Sequence, residues 1–157
     1  CIRYKKREVK KILNDKKIEG VIVTHGTDTL HYTSAALSFF LRDLNKPVVL
    51  TYAQRSIDRA SSDAEMNLNC AVAMALSDCA EVIIVGHATS NDDYCFAFKG
   101  TKVRKMHTSR RDAFEVVNAK PFVKMAQESD RDKNQKEWEK YNLWRLRQVV
   151  KRMQHSK

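Results

Sequence analysis

The ten residues VIVTHGTDTL, 21–30, hold an apolar run that breaks into hydroxyls, a histidine, a glycine and a carboxylate. Thr24, Thr27, Asp28 and Thr29 are the members able to do chemistry. A threonine hydroxyl is a poor nucleophile until a neighbouring group takes its proton. Thr27 and Asp28 are adjacent, and on a strand-to-helix turn adjacent side chains can converge on one cavity. A lysine poised by burial is a suitable base or relay. The segment GTKVRKMHTSRRDAF, 100–114, offers Lys102 and Lys105, both expected in a loop. The helix N-terminus after Gly26 would favour a developing negative charge or a bound carboxylate. The competing reading is plain capping: Thr27 and Asp28 would only close the helix that begins near Leu30. Residue chemistry alone leaves the two readings even.

Positioning such a site requires strands and helices in alternation. Residues 3–17 read as a basic amphipathic helix, with Val9, Ile12 and Leu13 at helical spacing. A strand follows at about 20–24, then a helix over 29–42 with Asp28 at its N-cap. Its apolar stripe is expected to run through Tyr32, Ala36, Phe39 and Phe40. Pro47 opens the strand VVLT, 48–51. A helix over 62–77 should turn Met66, Ala73 and Leu76 inward, with the SSD at 61–63 as its cap. EVIIV at 81–85 and DYCFAF at 93–98 read as further strands, and 131–154 as a long helix. The strands are short, β-branched and non-alternating, as in a parallel sheet covered by helices on both faces. Three strand ends look alike: VIVTHGTDT, VVLTYAQRS and VIIVGHATS. In parallel α/β sheets such ends share one edge, where ligands bind. A small polar ligand is therefore expected there.

Composition bounds the alternatives. The 157 residues fit one domain, 43% apolar and 31% charged. No run long enough to span a membrane occurs, and residues 1–17 lack the apolar core of a signal peptide. A chain that opens on Cys1 rather than Met reads as processed, truncated or excerpted. The four cysteines show no C-x-x-C spacing, as in a reduced, cytoplasmic protein. The histidines lack metal-ligand spacing, so no metal site is expected, and surface or hydrogen-bonded roles are expected for them. With four glycines and no Walker or G-x-G-x-x-G pattern, no phosphate-cradling loop is expected. The net charge of +10 sits at the ends. Residues 1–17 carry +6 (eight basic, two acidic), 18–120 carry −1 (eleven, twelve), and 121–157 carry +5 (ten, five). Two basic ends would suit RNA or another anionic partner, or be solvated helix faces.

VTHGTDTLHYTSAALSFFL resembles a signature of the L-asparaginase/glutaminase family. KPVVLTYAQRSIDRASSDAEMNL, SNDDYC and GTKVRKMHTSRRDAF narrow the resemblance to its archaeal branch, the D subunits of glutamyl-tRNA(Gln) amidotransferases. The resemblance covers 18 to about 120 and implies a truncated asparaginase-like α/β domain over 1–120, followed by a basic helical tail over 121–157. It implies amide hydrolysis through an acyl-threonine, with ammonia passed to a partner subunit that converts Glu-tRNA(Gln) to Gln-tRNA(Gln). The amide would be glutamine or asparagine. No metal or organic cofactor is implied. The family's Thr-Asp-Lys set falls on Thr27, Asp28 and Lys105; Gly26 matches its substrate-binding turn, and Ala53 a residue whose backbone faces the substrate amide. A homo-oligomer is also compatible.

The departures from the family pattern are specific. The T-G-G-T motif that carries its other nucleophilic threonine does not occur. Tyr52 stands where the family usually has glycine, and its ring would crowd the site. Ala60 replaces an expected proline, and Gly86 and Ala88 alter an MHGT-like turn. The expected result is negligible turnover by this chain alone, and a binding module without activity is the alternative reading.

Overall fold

The structure is a computed structural model that describes residues 2–126. The expected helix over 131–154 lies outside the described residues. The elements in chain order are α1 (Ile2–Leu13), β1 (Val21–Thr24), α2 (Leu30–Phe40), β2 (Val48–Thr51), α3 (Ala64–Ala75), β3 (Val82–His87), β4 (Tyr94–Lys99), β5 (Val103–Lys105), β6 (Phe114–Val116) and β7 (Val123–Ala126).

Strands β1, β2 and β3 are parallel and in step, with Thr24 opposite Thr51 and Thr51 opposite Val85. Parallel neighbours need a crossover, and α2 and α3 supply the two crossovers. The main sheet has the order β1-β2-β3-β4-β7, so β1 and β7 form its edges. The sheet is mixed rather than wholly parallel: β4 pairs antiparallel with β3, and β7 antiparallel with β4. The reason is chain length. Six residues, 88–93, join β3 to β4, enough for a turn back and too few for a crossover helix. Because β7 belongs to this sheet, the sheet runs past the change of composition at Pro121. β5 and β6 form a separate two-stranded sheet.

The strand period of two divides the core. Val48, Leu50, Val82 and Ile84 face a cluster with Val9, Leu30, Leu37 and Phe98. Val49, Ile83 and Val85 face the other cluster, with Met66, Cys70, Ala71 and Met74. Helices α1 and α2 thus cover one face and α3 the other. Burial on both faces explains why the strands carry no polar alternation.

The helix faces differ from those expected. In α2 the buried residues are Leu30, His31, Thr33, Ser34 and Leu37, while Tyr32, Phe39 and Phe40 are exposed. Hydrogen bonding reverses the stripe. The Ser34 hydroxyl lies 3.0 Å from both the His31 and Gly100 carbonyl oxygens, and it is fully buried. A small residue there lets the helix lie close on the β4–β5 turn. In α3, Ala73 and Leu76 point outward, and Asn67, Cys70, Ala71, Met74 and Ala75 point in with Met66. In α1, Val9 is buried but Ile12 is exposed. Among the described residues, no helix is long and apolar enough to cross a membrane.

Candidate active site

The chain leaves β1 through His25, whose amide donates to the Thr51 carbonyl at 3.0 Å and extends the β1–β2 ladder by one step. The His25 ring then fixes the turn. Its Nδ1 lies 2.6 Å from the Gly26 carbonyl, which can only accept, so Nδ1 carries the proton. Its Nε2, 3.0 Å away, accepts from the Thr33 hydroxyl. Gly26 beyond it is exposed, and a side chain built there would meet nothing within 4 Å. Open space therefore lies over the turn.

Asp28 does not cap α2. The N-cap is Thr29, and no side chain caps the helix. Asp28 instead accepts from Lys105 Nζ at 2.7 Å, and the same ammonium donates to Thr27 Oγ1 at 2.8 Å. One cation bridges the two residues that the sequence left between catalysis and capping. The partners are unequal in exposure: the Lys105 side chain is 10% exposed and that of Asp28 92%. The hydrogen bond from Lys105, with its charge, holds the Asp28 carboxyl below the usual carboxylate range. An ammonium against a threonine hydroxyl favours an alkoxide there, and the same nitrogen could take the hydroxyl's proton only after giving up one of its own. The carboxylate in turn keeps that cation in place.

Lys105 ends β5 rather than lying in a loop, directly opposite Phe114 of β6. A hairpin strand aims the lysine more firmly than a loop would. Lys102 lies in the exposed turn before β5.

Tyr52 turns into the core. Its ring is buried in the core, 4.5 Å from the Phe114 ring, and its hydroxyl donates to the Arg111 carbonyl at 3.2 Å. It lies over Gly86, where an added Cβ would be 2.3 Å from the ring. Burial pushes the Tyr52 phenol well above its ordinary value. Ala53, half-buried, follows it. The backbone on both sides of Ala53 is pinned. The Tyr52 carbonyl accepts from Asn67 Nδ2 at 3.0 Å, and Asp63 accepts from the Gln54 and Arg55 amides, each at 2.9 Å. Asp63 opens α3 without capping it by its side chain.

Sequence reading missed a polar network behind this edge: Asp63, Asn67, His87, Asp92 and Arg111. Asn67 and His87 are fully buried. His87 Nδ1 lies 2.6 Å from Asn67 Oδ1, its Nε2 lies 2.9 Å from Asp92 Oδ1, and Arg111 Nη1 donates to that oxygen at 2.8 Å. The only sequence signal was polarity at a strand end and on a helix face. Among the described residues, no group of three or more His, Cys, Asp or Glu is placed to hold a metal ion.

The family model described as "Asparaginase, N-terminal" matches residues 4–138. The chain belongs to the asparaginase family. It is 62% identical over 118 residues to the D subunit of the glutamyl-tRNA(Gln) amidotransferase of Pyrococcus furiosus, covering 75% of this chain and 27% of that protein. The corresponding D subunit of Archaeoglobus fulgidus is 59% identical over 116 residues, covering 74% and 27%. Among solved structures, the thermostable L-asparaginase from Thermococcus kodakarensis matches with a TM-score of 0.70 at 30% identity, covering 80% of this chain and 38% of that one. The expected asparaginase-like α/β fold and the resemblance to the archaeal D subunits are thus borne out. The chain spans about a quarter of the length of the curated relatives it matches.

Proposed function

We propose that this chain is part of an amidohydrolase subunit that releases ammonia from glutamine or asparagine for tRNA-dependent amidation. Its partner would be the subunit that carries Glu-tRNA(Gln). The single observation behind this reading is the Lys105 bridge to Thr27 and Asp28 at the carboxyl end of β1. In this reading, Lys105 relays a proton to or from Thr27, and Asp28 balances the lysine's charge. Gly26 and Ala53 line the position of the amide, where open space over the turn leaves room for it.

The T-G-G-T threonine is absent from this sequence. Members of a nucleophile system act as a unit, and losing one removes most of the rate. The chain alone should therefore release negligible ammonia from either amide. Robust release abolished by Thr27→Ala would contradict that expectation. The reading itself is tested by grafting residues 18–120 into the P. furiosus protein in place of its matching segment. The chimera should hydrolyse glutamine, and Lys105→Met should lower its kcat at least about a hundredfold, the low end for lost acid–base catalysis. A chimera indifferent to Lys105 would refute the assignment.

A second reading has its own support. On α1, Arg3, Arg7, Lys10 and Lys11 are exposed and fall at i, i+4, i+7 and i+8, one face of the helix. Such a face fits a phosphate backbone. Four phosphate contacts on duplex RNA would give a log–log salt slope of roughly −3 to −4. Absent or salt-independent tRNA binding would rule this role out.

A further inference from the structure

We propose that His87 is a buried positioning residue that sets the hairpin carrying Lys105 against the strand-edge site. The argument begins with Asn67. Its Nδ2 lies 3.0 Å from the Tyr52 carbonyl and 3.2 Å from Asp63 Oδ2, two groups that only accept. The amide orientation is thereby fixed, and Oδ1 faces His87 Nδ1 at 2.6 Å. The Cys95 thiol also donates to this Oδ1, at 3.5 Å. An oxygen cannot donate, so His87 Nδ1 bears a proton. On the other side, Nε2 meets the Asp92 carboxylate at 2.9 Å, which also receives Arg111 Nη1 at 2.8 Å. Asp92 is exposed, and its hydrogen bond from His87, with help from Arg111, keeps its carboxyl below the usual range. It therefore accepts, and the His87 ring is held between Asn67 and this carboxylate.

This network joins the two flanks of the site. Through Asn67 it reaches the Tyr52 carbonyl and the Asp63 clamp on the Gln54 and Arg55 amides. Through Asp92 it reaches Arg111, whose guanidinium also donates to the Ser61 carbonyl. The Arg110 and Arg111 carbonyls are gripped in turn, by Gln54 Nε2 at 2.9 Å and the Tyr52 hydroxyl at 3.2 Å. Arg110 and Arg111 lie in the connection from Lys105 to Phe114. Moving that connection moves Lys105 relative to Thr27 and Asp28. Two of the groups that hold it, the Asp92–Arg111 pair and the β2 exit, meet at the His87 ring.

The functional weight of this proposal rests on reading Thr27, Asp28 and Lys105 as the reacting set, but its test needs no turnover. The full chain is labelled with nitrogen-15 in histidine and lysine, and the ring signals are assigned by their loss in His87→Gln. In His87→Gln the Lys105 Nζ resonance, assigned by its loss in Lys105→Met, should shift. A Lys105 signal unmoved by His87→Gln would overturn the proposal. Asp92 is exposed, so Asp92→Asn tests the mechanism without threatening the fold. It should shift the His87 ring signals and the Lys105 Nζ resonance together. Asp92→Glu should keep both signals near their original positions. A Lys105 signal unmoved in both Asp92→Asn and Arg111→Ala would also overturn it. An inactive chimera would instead count against the amidohydrolase reading and leave these spectra as they are.

Discussion

Gly86 and Tyr52 share one space, and Gly86→Ala should expose that dependence. The glycine has no positive φ, so its backbone tolerates any residue. Only the tyrosine forbids a side chain. An added Cβ would lie 2.3 Å from the ring's Cε1 and Oη and 2.4 Å from Cζ. The ring must retreat by more than an ångström to reach ordinary contact, about 3.5–4.0 Å. It has little room to do so, being 4% exposed, against Phe114, and bonded to the Arg111 carbonyl. Overpacking of this kind costs about 1–3 kcal/mol, and the upper half of that range is expected. Tyr52→Ala should cost about 3–5 kcal/mol through the cavity it opens. The double variant Tyr52→Ala, Gly86→Ala should be more stable than the sum of single costs predicts, with a coupling of about 0.5–3 kcal/mol. Equilibrium urea unfolding of all four proteins, with slopes compared to check for two-state behaviour, measures this. If Gly86→Ala costs under about 0.5 kcal/mol with Tyr52 in place, or the same with Tyr52 removed, the reasoning fails.

Three further outcomes follow from the same structure. His31 is buried, its Nδ1 has no partner among the described residues, and burial followed by the Arg104 and Lys105 charges lowers its pKa below 6.5. The unfolded chain then binds more protons just below pH 6.5, so stability should fall as pH drops through that value; His31→Phe should flatten this slope in pH-dependent urea melts. Asp28 has the opposite origin and a lower window. Its depressed pKa adds stability that is present above pH 3.8 and lost as pH falls below it, and Lys105→Met should weaken that acid limb. Asp63→Ala strands three donors, the Gln54 and Arg55 amides and Asn67 Nδ2, and should cost at least about 3 kcal/mol in urea unfolding, since bonds to charged groups contribute about 1.5–3 kcal/mol each.

Residues that act locally are legible in the sequence, and residues whose partners lie far along the chain are not. The runs Val21–Thr24, Val48–Thr51 and Val82–His87 announce strands because β-branched residues buried on both faces leave little else. The three polar strand ends do share an edge, as the parallel register requires. Helix faces mislead where polar atoms go inward. Ser34 and Thr33 look like surface residues until Gly100 and His25 are seen to bind them. Phe39 and Phe40 look like core until those small residues occupy the inner face. Asp28 looks like a cap because caps are local, whereas its partner Lys105 is 77 positions away. The hairpin that carries Lys105 leaves no pattern because each of its strands has three residues, too few to show a period. Asn67 signals only as a polar residue on a helix face. Its role exists only where β2, β3 and α3 meet.

The sheet order leaves β1 with a partner on one side only among the described residues. Val21-Ile22-Val23-Thr24 carries no proline, lysine or bulge to blunt that edge, and Ile22 and Val23 are only half covered. An outer strand of this kind is a template for another chain. As a separate molecule the chain should therefore be sensitive to its own concentration, self-associating through β1 at high loading. The basic charge on the adjoining α1 would oppose that pairing at low salt and cease to oppose it as salt screens it. Colloidal behaviour, unlike folding stability, would then depend on ionic strength through a single four-residue strand.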